Sequence, residues 1–448
     1  MKSHNLKKII SACLFFVAVA NAQNPIIHNQ YTADPTARVF NGKVYLFPSH
    51  DIKAPLGKNL RKDWFCMADY HVFSSENLRD WTDHGTIVSQ NNVPWVDSTS
   101  FSMWAPDCVE RNGKFYFYFP ANTQKVDENG RKGFGIGVAI ADKPEGPYLP
   151  MPEPISNVKG IDPCVLIDKD GQAYLYWSQG HIFVAKLHQN MTELVSDPVI
   201  ISDLPTKGLK EGPFVFERNG LYYLTFPHVE NKIERLEYAV SSNPMGPYKM
   251  MGVIMDEAPN GCWTNHHSIV EYNNQWYLFY HQNDWSPKFD KNRSVRIDSL
   301  FFNPDGSIRK VVPTLRGVGA TIATDKIQID RYSNISDTGV SVEYCDTLNY
   351  FAGWKTIFNK KNSQVQYNNV DFGAGNHKWV EIQYKSEQGA TLIISENGRN
   401  VGNIKAPASA NWKTSRFKIW STHAGTTNIT VTNASDNPIE IDWISFKF

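Results

Sequence analysis

Three carboxylic acids and one histidine occupy matching points of a repeated sentence in this chain. Asp34, Asp162, Glu211 and His266 each stand about seven or eight residues ahead of a turn dipeptide, respectively Asn41-Gly42, Asp170-Gly171, Asn219-Gly220 and Asn273-Asn274. A further copy, ahead of Asn112-Gly113, opens with Trp104-Ala105-Pro106 instead. A polar residue at the start of one strand is ordinarily an edge or turn residue. Carboxylates at equivalent positions of several repeats are informative because symmetry brings equivalent positions together. Two carboxyls facing one another, one protonated and one ionised, are the minimum equipment for hydrolysing a glycosidic bond. A separation of roughly 6.5–9.5 Å admits a water and inverts the anomeric centre, whereas roughly 5–5.5 Å implies a covalent, retaining route. A third carboxylate nearby would raise the acid's pKa by like-charge repulsion.

The elements that must position these groups are hairpins. Each turn leads into an aromatic return strand: Val44 to Phe47, Phe115 to Tyr118, Ala173 to Tyr176, Leu221 to Leu224 and Trp276 to Phe279. An apolar run, an Asn-Gly or Asp-Gly pair and a second apolar run make a strong hairpin signal. The copies are spaced by roughly 50 to 70 residues, enough for the four strands of a propeller blade. Outer-strand text recurs too, since Gly137 to Pro147 and Tyr238 to Pro247 both run into Gly-Pro-Tyr. The expectation is an all-β protein: a five-bladed β-propeller over residues 23–322, whose innermost strands line a central channel. The Asp51–Phe65 and Pro120–Lys132 segments read as loops ringing the mouth of that channel, where specificity is set. From about Lys326 the pattern gives way to short alternating strands, among them Trp379–Tyr384, Thr391–Ser395, Ser415–Ile419, Asn428–Val431 and Ile439–Phe446. Residues 326–448 are expected to form a β-sandwich of the jelly-roll kind.

At 448 residues, two domains are the prior. Basic and acidic residues balance at 45 each, leaving no electrostatic case for nucleic acid or an anionic membrane. Lys7-Lys8, the apolar run Ile9 to Ala20 and Ala20-Asn21-Ala22 match a secretory signal peptide over residues 1–22, too short to span a bilayer. Export to the periplasm or the medium is expected. Beyond Cys13 the cysteines are Cys66, Cys108, Cys164, Cys262 and Cys345, an odd and scattered set with neither a disulfide framework nor zinc spacing.

Over residues 24 to 320 the sequence resembles glycoside hydrolase family 43, the five-bladed propeller enzymes acting on arabinose- and xylose-containing polysaccharides. The motifs are Ala33-Asp34-Pro35, Trp104-Ala105-Pro106-Asp107, Gly160-Ile161-Asp162-Pro163, Glu211-Gly212-Pro213 and Asn265-His266-His267-Ser268. The resemblance implies Asp34 as general base, Glu211 as general acid and Asp162 as the carboxylate that tunes and orients it. It implies Trp104 as the aromatic wall of the sugar pocket. It implies His266, with His267 as the fallback, as the axial histidine that in many relatives contacts a central water or calcium ion. Arg296 is the candidate for the arginine that holds the sugar and the tuning carboxylate, and Arg293 is its rival. The C-terminal part resembles a family 6 carbohydrate-binding module on Ile327 to Tyr332 and Ile441 to Phe446. That implies a structural calcium at Asp330 and Asp442, with Gln328 standing where the family places an acidic residue. Trp354 and Trp412 are candidate sugar-stacking residues, core packing being the competing reading. No other cofactor is expected.

The function implied is an inverting exo-glycosidase that removes terminal α-L-arabinofuranosyl or β-D-xylosyl residues from plant polysaccharide or oligosaccharide. The alternatives are a fructan- or galactofuranoside-cleaving propeller hydrolase and a glycan-binding propeller without catalysis.

Overall fold

The computed structural model describes residues 24–58, 60–126, 130 and 132–448. The signal-peptide reading of residues 1–22 lies outside the described residues.

Five antiparallel sheets follow one another along the first part of the chain. Their leading strands are Ala33–Phe40, Asp107–Arg111, Ile161–Ile167, Phe214–Arg218 and His267–Tyr272. Each leading strand pairs with its own return strand, and four of the sheets have four strands in sequence order. Leading strands also touch one another in succession, and the fifth touches the first, which makes a closed ring of five blades. The fifth sheet holds three strands. Its open edge is filled by the start of the described chain: Ile26 N donates to Val295 O at 2.9 Å. The Asn24 side chain meanwhile exchanges two hydrogen bonds with the Ile297 backbone. The ring is therefore closed by hydrogen bonds between segments some 270 residues apart, which leaves that strand edge no free ladder.

Local turn chemistry explains the hairpins. Asn41-Gly42, Asn112-Gly113, Asn219-Gly220 and Asn273-Asn274 all have positive φ at both positions. That is the type I′ geometry whose twist matches paired strands, and Asn and Gly are the residues that tolerate it. Asp170-Gly171 differs. Only Gly171 has positive φ, and the connection from Ile167 to Ala173 is five residues long, closed by Gly171 N to Asp168 O at 2.8 Å.

Below the leading strands' starts, a buried ion pair ties three blades together. Arg38 donates to both oxygens of Asp107, the shorter contact being 2.7 Å, and Asp107 also accepts from Val165 N at 2.6 Å. These contacts fix where the starts of the first three leading strands lie relative to each other.

The C-terminal residues build a sandwich of two six-stranded sheets. In one, Ile439–Lys447 lies between Trp354–Phe358 and Trp379–Ser386; in the other, Thr426–Asn433 lies between Gln364–Asp371 and Ala390–Glu396. The strands alternate buried and partly exposed residues, as in Trp379–Ser386, so their inner faces supply the core. Val380, Ile382, Leu392, Ile394, Ile429 and Ile444 are fully buried in it. Trp285 of the propeller packs on Trp354 and Phe351, and Tyr344 Oη donates to Asp284 O at 2.6 Å, so the two cores are joined by an aromatic seam. Cys66, Cys108, Cys164, Cys262 and Cys345 are all free thiols, the first four buried.

Candidate active site

Asp34 and Asp162 stand at the starts of the first and third leading strands and share an unusual backbone. Their φ angles are 44° and 56°, left-handed values rare for residues with a side chain. In both blades the strand register shifts at that point, between Ala33 and Thr36 in one and opposite Ile161 and Cys164 in the other. A bulge of this kind re-aims a side chain. Pro35 and Pro163, which cannot donate to the ladder, follow immediately. In the fourth blade the left-handed residue is Gly212, φ 54°, directly after Glu211. A Cβ on Gly212 would approach the Pro227 ring at 3.0 Å, so a side chain there would press on the proline. Asp162 Oδ2 accepts from Gly212 N at 2.9 Å, joining the third blade's acid to the backbone that presents Glu211.

Arg293 organises Asp34. Its Nη1 lies 2.7 Å from Asp34 Oδ1, while Nε and Nη2 each reach Asp51 at 2.9 Å. Ser49 Oγ donates to Asp34 Oδ2 at 2.8 Å, and His281 Nδ1 accepts from Asp34 N at 3.0 Å. Burial by itself would raise the Asp34 carboxyl. The Arg293 charge, then His281, His266 and the Ser49 hydroxyl outweigh it and hold Asp34 down at about 2. Burial drives His281 and His266 down to about 3 and about 4, so both are neutral near pH 7 and Arg293 is the permanent charge facing Asp34. Arg293, the rival, lines the cavity, but its hydrogen bonds go to Asp34 and Asp51 rather than to Asp162, the carboxylate expected to be held. Arg296 points instead to Asp284, with Nε to Oδ2 at 2.9 Å, at the border with the sandwich and outside the cavity lining. The two arginines are three residues apart and so face opposite sides of their segment, a distinction that an alternating strand makes and a motif does not.

Glu211 lies across the same cavity. Burial, with the charge of Asp34, raises it above the ordinary glutamate value. Asp162 is pushed well above its usual range by burial, then by Glu211 and Asp34. Glu234, at the start of the fourth blade's third strand, lines the same cavity as Glu211 and was not singled out by the repeat pattern. The cavity has a volume of about 190 Å³. That is below the roughly 300–1,000 Å³ of drug-sized ligand pockets and on the scale of one sugar ring. Its wall is aromatic: Trp104 meets Phe65 edge-on at 5.9 Å, and Arg293 lies over the Phe65 ring at 4.8 Å. Trp104 Nε1 has no hydrogen-bond partner among the described residues and almost no exposed surface of its own. Trp64 and Phe65 come from the Asp51–Phe65 segment, and a second groove of about 810 Å³ continues from Trp104 and Ile161 past Thr123, Lys125 and Phe134.

Residues 22–308 match the sequence profile of glycosyl hydrolases family 43. The chain belongs to that family. A xylosidase/arabinosidase of Humicola insolens is 38% identical over 332 residues, covering 63% of this chain and 98% of the relative. A family 43 β-xylosidase/α-arabinofuranosidase from a compost microbial metagenome, solved with xylotriose in a calcium-free form, superposes with TM-score 0.57. It is 32% identical and covers 65% of this chain and 98% of its own. An arabinoxylan arabinofuranohydrolase of Bacillus subtilis shares the fold across 95% of this chain and 97% of its own, at TM-score 0.56 and 24% identity. The family 43 assignment makes this chain a glycoside hydrolase.

The places where the family resemblance implies calcium differ in the ligands they offer. His266 Nδ1 is 3.8 Å from Asp34 Oδ1, and no group of three candidate ligands among the described residues includes it. A calcium ion needs 6–8 oxygens, so His266 alone does not make its site. Arg331 Nε lies 2.6 Å from Asp330 Oδ2, yet neither atom makes a hydrogen bond among the described residues, and burial raises Asp330. Burial, then Asp330, pushes Asp442 up to about 6. A buried carboxylate oxygen without a donor, beside a second acid raised by its charge, is compatible with a cation held by Asp330 and Asp442. The group whose ligand atoms do converge, within 4.8 Å, is His50, Asp69 and His71 on the first blade.

Proposed function

We propose that this family 43 protein is an inverting exo-glycosidase that removes terminal α-L-arabinofuranosyl or β-D-xylosyl residues from plant polysaccharides. The observation that carries the reading is the opposed state of two carboxyls on one sugar-sized cavity. Arg293 holds Asp34 ionised, and burial pushes Glu211 up. Pairs of titratable groups whose environments separate their pKa values make acid and base assignments.

In the reaction, Asp34 takes a proton from water as that water attacks the anomeric carbon. Glu211 delivers its proton to the departing glycosidic oxygen as the bond breaks. Asp162 holds the Glu211–Gly212 backbone in place through Gly212 N and touches no reacting atom in this scheme. Trp104 and Phe65 pack against the ring. The larger groove beyond Trp104 is suited to the polymer from which the sugar is cut. Pentose identity is set within the small cavity and the polymer by the groove, which is why both sugars are proposed.

The N-terminal segment supports export, and intact mass of the secreted chain would place a cleavage after Ala22. The sandwich is proposed as a family 6-like glycan-binding module. Trp412 is 37% exposed and remains available for stacking. Trp354 is packed between Trp285 and Tyr344, a core role.

The test is hydrolysis of aryl α-L-arabinofuranoside, β-D-xyloside and galactofuranoside, with NMR of the first-formed anomer. Release of the inverted pentose, abolished in Asp34→Asn with binding retained, is expected. A retained anomer would overturn the inverting route, and no release by the wild type would leave a glycan-binding propeller.

A further inference from the structure

We propose that Glu234 is a positioning residue for the reaction, a protonated carboxyl that donates its O–H to Glu211 and so sets how readily Glu211 releases its own proton. This rests on Glu211 being the general acid.

Glu234 is 1% exposed and lines the catalytic cavity. Its backbone is pinned by N to Trp263 O at 3.1 Å, and its Oε2 accepts from Asn265 N at 2.6 Å. Its other oxygen, Oε1, is buried and receives no hydrogen bond from any donor among the described residues. An ionised carboxylate so placed would be a buried charge with half of its acceptor capacity empty, an arrangement that proteins rarely keep. Glu234 and Glu211 line one cavity and each shifts the other's pKa, and two neighbouring carboxyls can share a hydrogen bond only if one carries a proton. Oε2 already accepts, so the proton belongs on Oε1. That protonation satisfies the otherwise orphaned atom and supplies the donor to Glu211.

The surroundings agree. Burial, then the charge of Glu211, raises Glu234 well above the glutamate range, with Asp162 adding to it. The other groups that face Glu211 are Asp34, which raises it, and Arg293, which lowers it. His266 shares the cavity, and Asp290 accepts from Trp263 N at 3.2 Å and is paired with Lys291. No cation pairs with Glu234 among the described residues. A neutral acid kept as a hydrogen-bond donor is an established way to stabilise charge in a buried site. Here the charge is the Glu211 carboxylate left when its proton passes to the glycosidic oxygen. Glu234 keeps its own proton throughout, so nothing else is consumed. Without the donor, burial and Asp34 would hold the Glu211 proton more tightly, and the acid would be weaker.

The experiment compares Glu234→Ala, Glu234→Gln and Glu211→Ala on substrates of different leaving-group basicity, with the pH dependence of kcat/KM. A lost hydrogen bond to a charged group predicts a fall of about 10- to 100-fold for Glu234→Ala when the leaving group is a sugar. The deficit should shrink on a dinitrophenyl glycoside, which needs no protonation. The alkaline limb should move to higher pH, because the ionised form of Glu211 has lost its donor. Gln can accept from Asn265 N and donate to Glu211, and it should recover at least tenfold over Ala. Infrared difference spectra at pH 7 should show a protonated-carboxyl band that Glu234→Gln removes, a readout available even if Glu234→Ala does not fold. Equal loss on both leaving groups with an unmoved limb, or no such band, would overturn the proposal. If Glu211→Ala shows no leaving-group dependence, the acid assignment itself fails, whatever Glu234 does.

Discussion

Arg293 is the side chain on which the charge pattern of the site depends, and Arg293→Met should show it. The substitution keeps much of the volume and removes the cation between Asp34 and Asp51. The drop of Asp34 from 3.8 to about 2 is worth about 2–2.5 kcal/mol in favour of its charged form, at about 1.4 kcal/mol per pH unit. That stability is present above pH 3.8 and is lost as pH falls through 3.8 towards 2. Asp51 is already raised, because burial outweighs the same arginine, so it protonates first on acidification. Removing one partner of a buried ion pair typically costs about 3–5 kcal/mol. The variant should therefore be less stable by about that amount at pH 7, and the difference should narrow below pH 4, where the wild type loses its advantage too. The acid limb of kcat/KM should rise by two pH units or more, since burial is then unopposed. Urea unfolding at pH 7 and pH 3, with a pH–rate profile on an aryl pentoside, measures both effects. A loss under about 1 kcal/mol, the scale of an exposed pair, with an unmoved acid limb would refute the reasoning.

Arg296→Met should destabilise by a similar amount, because Asp284 is left buried and unpaired, yet KM should hold in whatever folds; a raised KM would return Arg296 to the sugar site. Trp104→Ala should raise KM about tenfold or more through lost apolar contact, with a smaller change in kcat, read from steady-state kinetics. Asp442 is raised by burial and Asp330, so the wild type loses stability as pH rises from 3.8 through about 6. Asp442→Asn should then stabilise the sandwich by about 1–2 kcal/mol at pH 8, discounted for partial exposure, and by much less at pH 4. Calcium chloride that raised the Tm of the wild type but not of Asp442→Asn would instead place a cation there.

Fold class and the points where the acids converge can be read from the chain's repeats. Asn-Gly pairs set type I′ turns, return strands followed at fixed offsets, and repetition turned a local pattern into a ring. Asp34, Asp162 and Glu211 were legible because they share repeat-equivalent starts, and the left-handed backbone at Asp34, Asp162 and Gly212 is the structural counterpart of that equivalence. Contacts between blades are encoded by no period and emerge only on folding. The choice of Arg293 over Arg296 depended on which side of one segment faces Asp34. Asp51, His281 and Glu234 carry no motif, because each acts from a second or third strand, whose register is set by its neighbours. The closure of the fifth blade by Asn24 and Ile26 is of the same kind. Hydrogen-bond partners hundreds of residues apart are chosen by shape in three dimensions, and a linear sequence leaves that choice open.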